Sequence, residues 1–302
     1  MSSLLVRLPD AQLAHAIGPV DGVDFVIGAA ARNRAEEVDV YVADYATGVE
    51  ALAELGSFPR LRLVQLQSAG YDGFLERLPD GVALANATGV HDDATAEHAL
   101  GLTLAALRGI PESVRQHGVW HRMPGRRSLA DSRVLIYGYG SIGRAIAERF
   151  MACKAQVTAV ASRPRTDDLV GTVHGPERLA ALLPEQHVLV VVLPLTEETR
   201  HAVDAAFLAQ LGDDALVVNV GRGPLLDTDA VLAEAGRLRF ALDVTDPEPL
   251  PEHHPLWAAP GVLITPHVAG GTTAMLPRVA ALVRGQLQAL VAGEQLRNLV
   301  SQ

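Results

Sequence analysis

The sequence predicts an α/β protein made of two doubly wound parallel-sheet domains. Short apolar, strand-like runs alternate with helical patterns through nearly the whole chain, which is typical of βα units and a parallel sheet. A polar stretch at 115–132 interrupts the alternation once, and the alternation then begins again. A chain of 302 residues is long for a single core, so two domains of ordinary size are expected.

The first third of the chain contains the first group of strand candidates, with helix-like segments between them: LLVRL (4–8), VDVYVADY (38–45), LRLVQLQSA (61–69) and VALANATG (82–89). A longer helix follows, for which Asp92 or Asp93 is the candidate N-cap. Its predicted apolar face is the set Ala96, Leu100, Leu104 and Leu107.

The second group of strand candidates follows the polar stretch: VLIYG (134–138), VTAVAS (157–162), HVLVVVLPL (187–195), ALVVNVG (215–221), FALDVTD (240–246) and VLITPHV (262–268). A final helix is expected from about 272 to 292. We therefore predict a Rossmann dinucleotide-binding domain at 98–272, inserted into a flavodoxin-like substrate domain at 1–97 and 273–302. Helices near 93–110 and 272–292 would link the two domains.

Composition and charge exclude several classes of protein. The formal net charge of −10 would repel phosphate backbones, so nucleic acid is not an expected partner. The longest apolar run, at 188–195, is too short for a membrane span and contains a proline. No secretory signal is visible, and the single cysteine, Cys153, excludes internal disulfides. We expect a cytoplasmic protein with Cys153 buried on a helix.

The segment VLIYGYGSIGRAIAERF predicts a strand, a glycine turn and a helix that bind a dinucleotide. Gly138 would form the tight turn, and Gly140 would leave room for the pyrophosphate. Gly143 would let the helix pack closely on the strand. The helix N-terminus would then direct free N–H groups toward the phosphates.

The end of the second strand, VTAVASRPR, indicates which dinucleotide is preferred. An acid expected there would bind the ribose 2′-OH of NAD and repel the extra phosphate of NADP. Ala161 takes the place of that acid, and Ser162, Arg163 and Arg165 surround it. This favours NADP(H), although NAD(H) could also serve. The alternative is that the two arginines of this turn are simply solvated.

Arg222, Glu248 and His267 each lie just past a strand-like run, as does Asp243. In doubly wound sheets, the loops at the carboxyl ends of strands line the ligand crevice. Beside a nicotinamide, an arginine could bind a substrate carboxylate and polarise the neighbouring carbonyl. A histidine paired with a glutamate could then supply the proton. Each residue alone has an ordinary structural explanation, so the combination carries the hypothesis.

The chain resembles the D-2-hydroxyacid dehydrogenase family over roughly residues 60 to 290. The blocks that carry the resemblance are SAGYD (68–72), DATAEHALGLTLAALR (93–108), GYGSIGRAIAERF (138–150), LPLTEETRHAVD (193–204), VNVGRGPLLD (218–227), ALDVTDPEP (241–249) and HPLWAAPGVLITPHVAG (254–270). Their order and spacing together are specific to this family.

The resemblance implies a role for each matching residue. Arg222 would bind and polarise the substrate, Glu248 and His267 would form the acid–base pair, and the N–H groups of Ala69 and Gly70 would bind the substrate carboxylate. The implied cofactor contacts, beyond the glycines and the basic turn, are Ser141, Ile142, Pro194, Thr199, Val220, Asp243 and Gly270. Among these, Asp243 would hold the nicotinamide carboxamide. The family also implies a homodimer formed through the Rossmann domain.

The leading prediction is an enzyme that interconverts small 2-oxo acids and D-2-hydroxy acids, with glyoxylate or hydroxypyruvate as substrate. Glu248 argues against formate, because the related formate dehydrogenases have Gln there. One alternative is a dinucleotide-sensing protein like the family's corepressors. Another is an NAD-dependent dehydrogenase of phosphoglycerate or phosphite. No regulatory C-terminal extension is expected.

Other side chains give weaker signals. The histidine pairs His117/His121 and His253/His254 lack further ligands in metal-binding spacing, so we expect no metal. Tyr71 could select the substrate side chain or pack in the core. Trp120 could pack at a dimer interface, reach a neighbouring active site, or simply be buried.

Overall fold

The computed structural model describes residues 3–301, which divide into two compact units. Unit 1 contains the residues up to His91 and those from Thr272 onward, and unit 2 is Asp92–Gly271. The chain therefore passes from unit 1 to unit 2 between residues 91 and 92. The boundary predicted from the sequence lies between residues 97 and 98. The difference arises because the helix that begins at Asp92 packs within unit 2 along its length.

The elements alternate as the sequence predicted. The strands are β1 (Leu4–Leu8), β2 (Val23–Ile27), β3 (Val38–Val42), β4 (Leu63–Gln65), β5 (Ala83–Ala85), β6 (Arg133–Tyr137), β7 (Gln156–Val160), β8 (Arg165–Asp167), β9 (Gly171–His174), β10 (Val188–Val191), β11 (Leu216–Asn219), β12 (Arg239–Leu242), β13 (Val262–Ile264) and β14 (Leu299–Ser301). The helices are α1 (Ala11–Ile17), α2 (Asp92–Arg108), α3 (Ile110–Val114), α4 (Ser141–Ala152), α5 (Leu179–Leu182), α6 (Ala205–Leu208), α7 (Thr228–Glu234) and α8 (Met275–Ala292).

Unit 1 is built on a sheet with strand order β14-β5-β4-β3-β1-β2. Strands β1 to β5 pair in parallel, and β14 pairs antiparallel with β5. The order 2-1-3-4-5 is the flavodoxin-like arrangement. All five residues of β3 are buried, including Asp39, whose carboxylate accepts hydrogen bonds from Leu5 N and Arg60 Nη2, both at 3.1 Å. Helix α8 packs against α1.

Unit 2 is built on a sheet with strand order β13-β12-β11-β10-β6-β7-β9-β8. The chain winds from β6 toward β7 and then returns to start β10 on the other side of β6. This reversal creates a crevice at the carboxyl ends of β6 and β10, where dinucleotides bind in such sheets. Strand β10 is fully buried, as expected for a parallel strand covered on both faces.

Helix α2 differs from its prediction in its first turn and in its buried face. Because it begins at Asp92, both candidate capping acids lie inside its first turn. Leu100 and Leu104 are only partly covered, and the buried side chains include Thr95, Ala96, Ala99, Leu102, Thr103 and Leu107. The covered face packs on α4, and Arg149 of α4 pairs with Asp93 at 2.7 Å.

Some elements and placements were not predicted. Strands β2 and β14 lie at the two edges of their sheet, and β8 forms a short hairpin with β9. Cys153 lies just after α4 and is only partly buried, so its predicted full burial is wrong. Across residues 3–301, no helix is both long enough and apolar enough to span a bilayer.

Candidate active site

The glycine turn between β6 and α4 has the close approaches that its sequence requires. Gly138 has a φ of 109°, and a Cβ there would lie 2.5 Å from the Val192 carbonyl oxygen. A Cβ on Gly143 would lie 2.1 Å from the Gly138 carbonyl oxygen. Both positions therefore require glycine, one for the turn and one for the packing of the helix on the strand.

Gly140 differs from the other two glycines because a Cβ there would meet no protein atom within 4 Å. It is exposed and is the N-cap of α4, which has no side-chain cap on its first N–H groups. The space above Gly140 and the helix N-terminus are thus suited to a pyrophosphate. Ser141 is exposed and Ile142 half-buried in this first turn, so both can contact a dinucleotide bound there.

The turn after β7 brings Arg165 against the glycine turn. Its Nη2 donates to the Tyr139 carbonyl oxygen at 2.6 Å, and its guanidinium lies 5.5 Å from the centre of the Tyr139 ring. Ser162 and Arg163 are exposed beside it. No acid stands between β7 and Arg165, so the basic and hydroxyl groups predicted to bind a 2′-phosphate lie next to the phosphate-binding turn.

The hairpin of β8 and β9 holds this turn in place, a feature that the sequence did not predict. Asp167 accepts hydrogen bonds from Tyr139 Oη at 3.0 Å and from Arg144 Nη1 at 2.8 Å. Arg144 also pairs with Asp168 at 2.7 Å. Both hairpin acids are therefore paired with one basic residue of α4, whereas Arg165 contacts the glycine turn.

The remaining predicted cofactor residues lie in loops at the carboxyl edge of the unit 2 sheet. Pro194 is exposed after β10, and its carbonyl oxygen accepts from Thr199 Oγ1 at 2.7 Å. Val220 is buried directly after β11, and Gly270 is partly buried beyond β13. Their contacts with a cofactor stay predictions.

Glu248 and His267 form a hydrogen-bonded pair, although 19 residues separate them in sequence. His267 Nδ1 lies 2.6 Å from Glu248 Oε1, and the two side chains are 45% and 41% exposed. The hydrogen bond to Glu248 raises the pKa of His267 and outweighs the opposing effects of burial and of the Arg222 charge. A bond at Nδ1 makes Nε2 the nitrogen that can deliver a proton to a substrate.

Arg222 lies near this pair, at the end of β11. Asn219 Nδ2 donates to the Arg222 carbonyl oxygen at 2.8 Å, and Arg222 Nη1 donates to the Gly221 carbonyl oxygen at 2.8 Å. The next residue must be glycine, because a Cβ on Gly223 would lie 1.9 Å from the Thr245 carbonyl oxygen. The segment after β11 is thereby tied to the segment after β12, which leads to Glu248.

Asp243 organises the loop that carries His267. It is 1% exposed at the end of β12. Its carboxylate accepts from Thr265 Oγ1 at 2.6 Å and from the amides of Val268 and Ala269, both at 3.0 Å. Burial acts to raise the pKa of Asp243, but these bonds and one from His98 outweigh it and lower the pKa. Asp243 is therefore an ionised, buried anchor.

Sequence reasoning missed His98 and Thr265 in this network. His98 Nε2 lies 2.9 Å from Thr265 Oγ1 and 3.1 Å from Asp243 Oδ1. A histidine on a helix far upstream gives no local signal, because only the fold brings it to the end of β12. The alternation of strands and helices could at most have placed α2 against the sheet.

The predicted substrate residues Ala69 and Gly70 lie in unit 1, after β4. Asn86 Nδ2 donates to the Ala69 carbonyl oxygen at 2.8 Å, and Ser68 Oγ donates to the Gly70 carbonyl oxygen at 2.7 Å. These bonds give the SAGYD segment a defined backbone conformation. Tyr71 is exposed in the same segment, so its core alternative is wrong.

No group of three or more potential metal ligands occurs among residues 3–301. His254 instead has a structural role, because its Nδ1 accepts the Leu256 amide at 3.3 Å and caps the turn that follows. Trp120 is 90% exposed, which rules out its burial within this chain.

The glycine turn, the helix N-terminus and the Arg–Glu–His set at one sheet edge define a nicotinamide-dinucleotide-dependent oxidoreductase. A sequence model for the NAD-binding domain of D-isomer specific 2-hydroxyacid dehydrogenases matches residues 100–269. The chain belongs to the D-isomer specific 2-hydroxyacid dehydrogenase family, as its motifs suggested. This membership, together with relatives that are named as reductases, indicates an NAD(P)-dependent oxidoreductase.

Individual relatives agree with the family. A glyoxylate reductase from Aeropyrum pernix is 34% identical over 265 residues, which cover 82% of this chain and 78% of that protein. A Xanthobacter autotrophicus Py2 family member, solved with NADPH and MES, is 30% identical with a TM-score of 0.82, covering 100% of this chain and 98% of that one. An NADPH-dependent glyoxylate/hydroxypyruvate reductase from Sinorhizobium meliloti, solved with NADP and sulfate, is 25% identical with a TM-score of 0.83, covering 99% and 98%.

Proposed function

We propose that the protein reduces small 2-oxo acids to D-2-hydroxy acids and prefers NADPH, with glyoxylate or hydroxypyruvate as substrate. The observation that carries this proposal is the 2.6 Å pair of His267 and Glu248 near the Arg222 guanidinium. Glu248 keeps His267 protonated to higher pH, and Arg222 can bind a carboxylate. A proton donor next to such a cation is suited to the reduction of a carbonyl that lies beside a carboxylate. Relatives named glyoxylate reductase support the same substrate class.

The three residues have separate roles in the reaction. Arg222 binds the substrate carboxylate through its planar guanidinium and polarises the adjacent carbonyl. The bound dinucleotide supplies a hydride to the carbonyl carbon. His267 transfers the proton on Nε2 to the carbonyl oxygen, which becomes the hydroxyl. Glu248 orients the imidazole through Nδ1 and stabilises its charged form before the transfer.

The preference for NADPH rests on the turn after β7. Exposed Ser162 and Arg163 offer a hydroxyl and a guanidinium, and Arg165 is held against the glycine turn by its 2.6 Å bond to Tyr139. A 2′-phosphate bound there would gain charge-assisted hydrogen bonds that a 2′-hydroxyl would not. The acids of the adjacent hairpin pair with Arg144, which limits their repulsion of a phosphate.

We also infer that the protein is a homodimer. Unit 2 exposes apolar side chains from α3 to the segment just after it: Ile110 at 49%, Val114 at 67%, Val119 at 66% and Trp120 at 90%. A groove of about 430 Å³, lined in part by Arg115 and Trp257, lies on the same unit. Exposed apolar side chains grouped on one short segment are suited to a partner surface. Sedimentation of wild type and Val114→Asp tests for the second copy.

For the cell compartment, we infer the cytoplasm. Cys153 is the chain's one cysteine and is free, so no disulfide stabilises the fold. A fold without disulfides is typical of a reducing compartment. Fractionation of cells that express the full chain tests the cytoplasmic location.

The test of the proposed function is a substrate panel with purified protein. NADPH and NADH would each be supplied with glyoxylate, hydroxypyruvate, pyruvate and phosphohydroxypyruvate, and NADP⁺ and NAD⁺ would each be supplied with phosphite. We expect the highest kcat/KM with NADPH and glyoxylate or hydroxypyruvate, and D-glycerate as the product from hydroxypyruvate. The proposal is refuted if none of the 2-oxo acids supports oxidation of NADPH. Preferential use of phosphohydroxypyruvate or phosphite would support the alternative dehydrogenases.

A further inference from the structure

We propose that His98, on helix α2, is a positioning residue for the reaction. It fixes Asp243 and Thr265, and through them the loop that carries His267. This inference rests on the proposed function, since it assumes that His267 is the proton donor. Nothing in the roles assigned so far to Arg222, Glu248 and His267 requires a histidine at position 98.

The first argument is a closed triangle of polar atoms inside unit 2. His98 Nε2 lies 2.9 Å from Thr265 Oγ1 and 3.1 Å from Asp243 Oδ1, and Thr265 Oγ1 donates to the same Oδ1 at 2.6 Å. The Asp243 side chain is 1% exposed, whereas that of His98 is 24% exposed. His98 therefore covers the buried carboxylate from the side of α2.

The hydrogen-bond directions fix the tautomer of His98. The single hydroxyl proton of Thr265 is directed to Asp243, so Thr265 Oγ1 can only accept from His98. A lone pair on His98 Nε2 would also face a carboxylate oxygen and be repelled. Nε2 therefore carries a proton, which is shared between Thr265 and Asp243. Removing this donor would leave a buried, ionised carboxylate less satisfied.

The second argument is that three successive amides of the catalytic loop donate to Asp243. His267 N donates to the Asp243 carbonyl oxygen at 2.7 Å, Val268 N to Oδ1 at 3.0 Å and Ala269 N to Oδ2 at 3.0 Å. His267 itself has a φ of 51°, in the left-handed region that histidine rarely adopts. The bonds to Asp243 hold this conformation, which aims the imidazole toward Glu248.

The two arguments connect His98 to the position of the transferred proton. If the Asp243 carboxylate rotates, its bonds to Val268 and Ala269 lengthen and the strained backbone at His267 relaxes. A shift of about 1 Å at a catalytic group can cost about 100-fold in rate. Most of the predicted dinucleotide contacts lie at the glycine turn and the basic turn, apart from this loop. Only the predicted contact of Asp243 with the nicotinamide carboxamide depends on it, so the affinity for NADPH should change far less than the rate.

The test compares His98→Leu with His98→Gln. Leu fills the space without a donor, whereas the Gln side chain can place an N–H where Nε2 stands. We expect the single-turnover rate of NADPH oxidation by hydroxypyruvate to fall about 10- to 100-fold in His98→Leu, with a much smaller change in the Kd for NADPH. His98→Gln should recover most of the rate. The control is His187→Leu, which removes a histidine that accepts the Arg133 amide at the opposite, amino edge of the same sheet.

Four outcomes decide the question when His267→Gln is measured in parallel. A slow His98→Leu that is rescued by His98→Gln supports the positioning role. Equal losses in both His98 variants, together with a lower Tm, overturn it in favour of a merely structural role. A normal rate in His98→Leu beside an inactive His267→Gln also overturns it and leaves the proposed function intact. A normal rate in His267→Gln refutes the proposed function itself, and the positioning role with it.

Discussion

His267 Nδ1 lies 2.6 Å from Glu248 Oε1, although the two residues follow different strands, β13 and β12. Such a short distance is typical of a charge-assisted hydrogen bond, here between an imidazolium and a carboxylate when His267 is protonated. The pair therefore raises the pKa of His267, so that the proton donor persists to higher pH than in an isolated histidine. The oriented imidazole and its raised pKa both depend on Glu248.

Replacing Glu248 with Gln should shift the pH dependence of reduction. The active form of His267 is protonated, so kcat/KM falls as the pH rises through its pKa. Because Glu248 raises that pKa, Glu248→Gln should lower it and move the alkaline limb to lower pH. The measurement is kcat/KM for a 2-oxo acid from neutral to alkaline pH. Glu252→Gln, an exposed acid on the same segment, is the control. An unmoved limb in Glu248→Gln would show that the pair does not set the titration.

Arg222 should determine the affinity for the 2-oxo acid rather than for the cofactor. Arg222→Gln should lower kcat/KM for the acid by about 10- to 100-fold, the cost of losing a hydrogen bond to a charged group. Arg222→Lys should recover only part of the loss, because an ammonium cannot bind a carboxylate as a planar fork. Steady-state kinetics with the exposed Arg200→Gln as control would test this. Equal activity of the Lys variant and wild type would exclude bidentate binding.

The glycine turn allows a prediction that separates folding from cofactor binding. Gly140→Ala should change Tm much less than Gly143→Ala, because a Cβ at 140 meets no protein atom within 4 Å and only the weaker N-cap preference of Ala acts. It should nevertheless weaken NADPH binding by occupying the space for the phosphates. Gly143→Ala should lower Tm, because its Cβ would lie 2.1 Å from the Gly138 carbonyl oxygen. Thermal unfolding and a fluorescence titration with NADPH measure the two effects. Normal NADPH affinity in Gly140→Ala would place the pyrophosphate elsewhere.

The two arginines of the basic turn should behave differently. Arg163 is exposed, so Arg163→Ala should raise the KM for NADPH and leave the KM for NADH nearly unchanged. Arg165→Ala should impair both cofactors, because it also removes the 2.6 Å bond that holds the Tyr139 backbone in the glycine turn. Exposed Arg178→Ala serves as the control. If Arg163→Ala affects both cofactors equally, Arg163 does not bind the 2′-phosphate.

The sequence allowed prediction of the fold class because periodicity is a local property. Each strand candidate of the second group overlaps a strand of unit 2, but the candidates run too far toward their carboxyl ends. HVLVVVLPL extends to residue 195, whereas β10 ends at Val191. Apolar composition continues past the last ladder hydrogen bond, into the loops that carry the site. Strands β8 and β14 were missed because three residues are too few to show an alternating pattern.

The site could be predicted where a motif is contiguous, and it could not where the fold brings distant residues together. The three glycines and the positions of Arg222, Glu248 and His267 follow from short segments. The hydrogen bond from His98 to Thr265 spans 167 positions, and no local pattern contains it. The same holds for Asp167, whose bonds to Tyr139 and Arg144 depend on the hairpin of β8 and β9.

The most direct test of the central claim is kcat/KM for hydroxypyruvate reduction by NADPH, measured for wild type and His267→Gln. General acid catalysis contributes roughly 10²- to 10⁴-fold, so we expect His267→Gln to lose activity in that range. Its NADPH affinity should stay at the wild-type value, because the glycine turn is untouched. Wild-type turnover in His267→Gln, or no turnover of any 2-oxo acid by the wild-type protein, would contradict the claim.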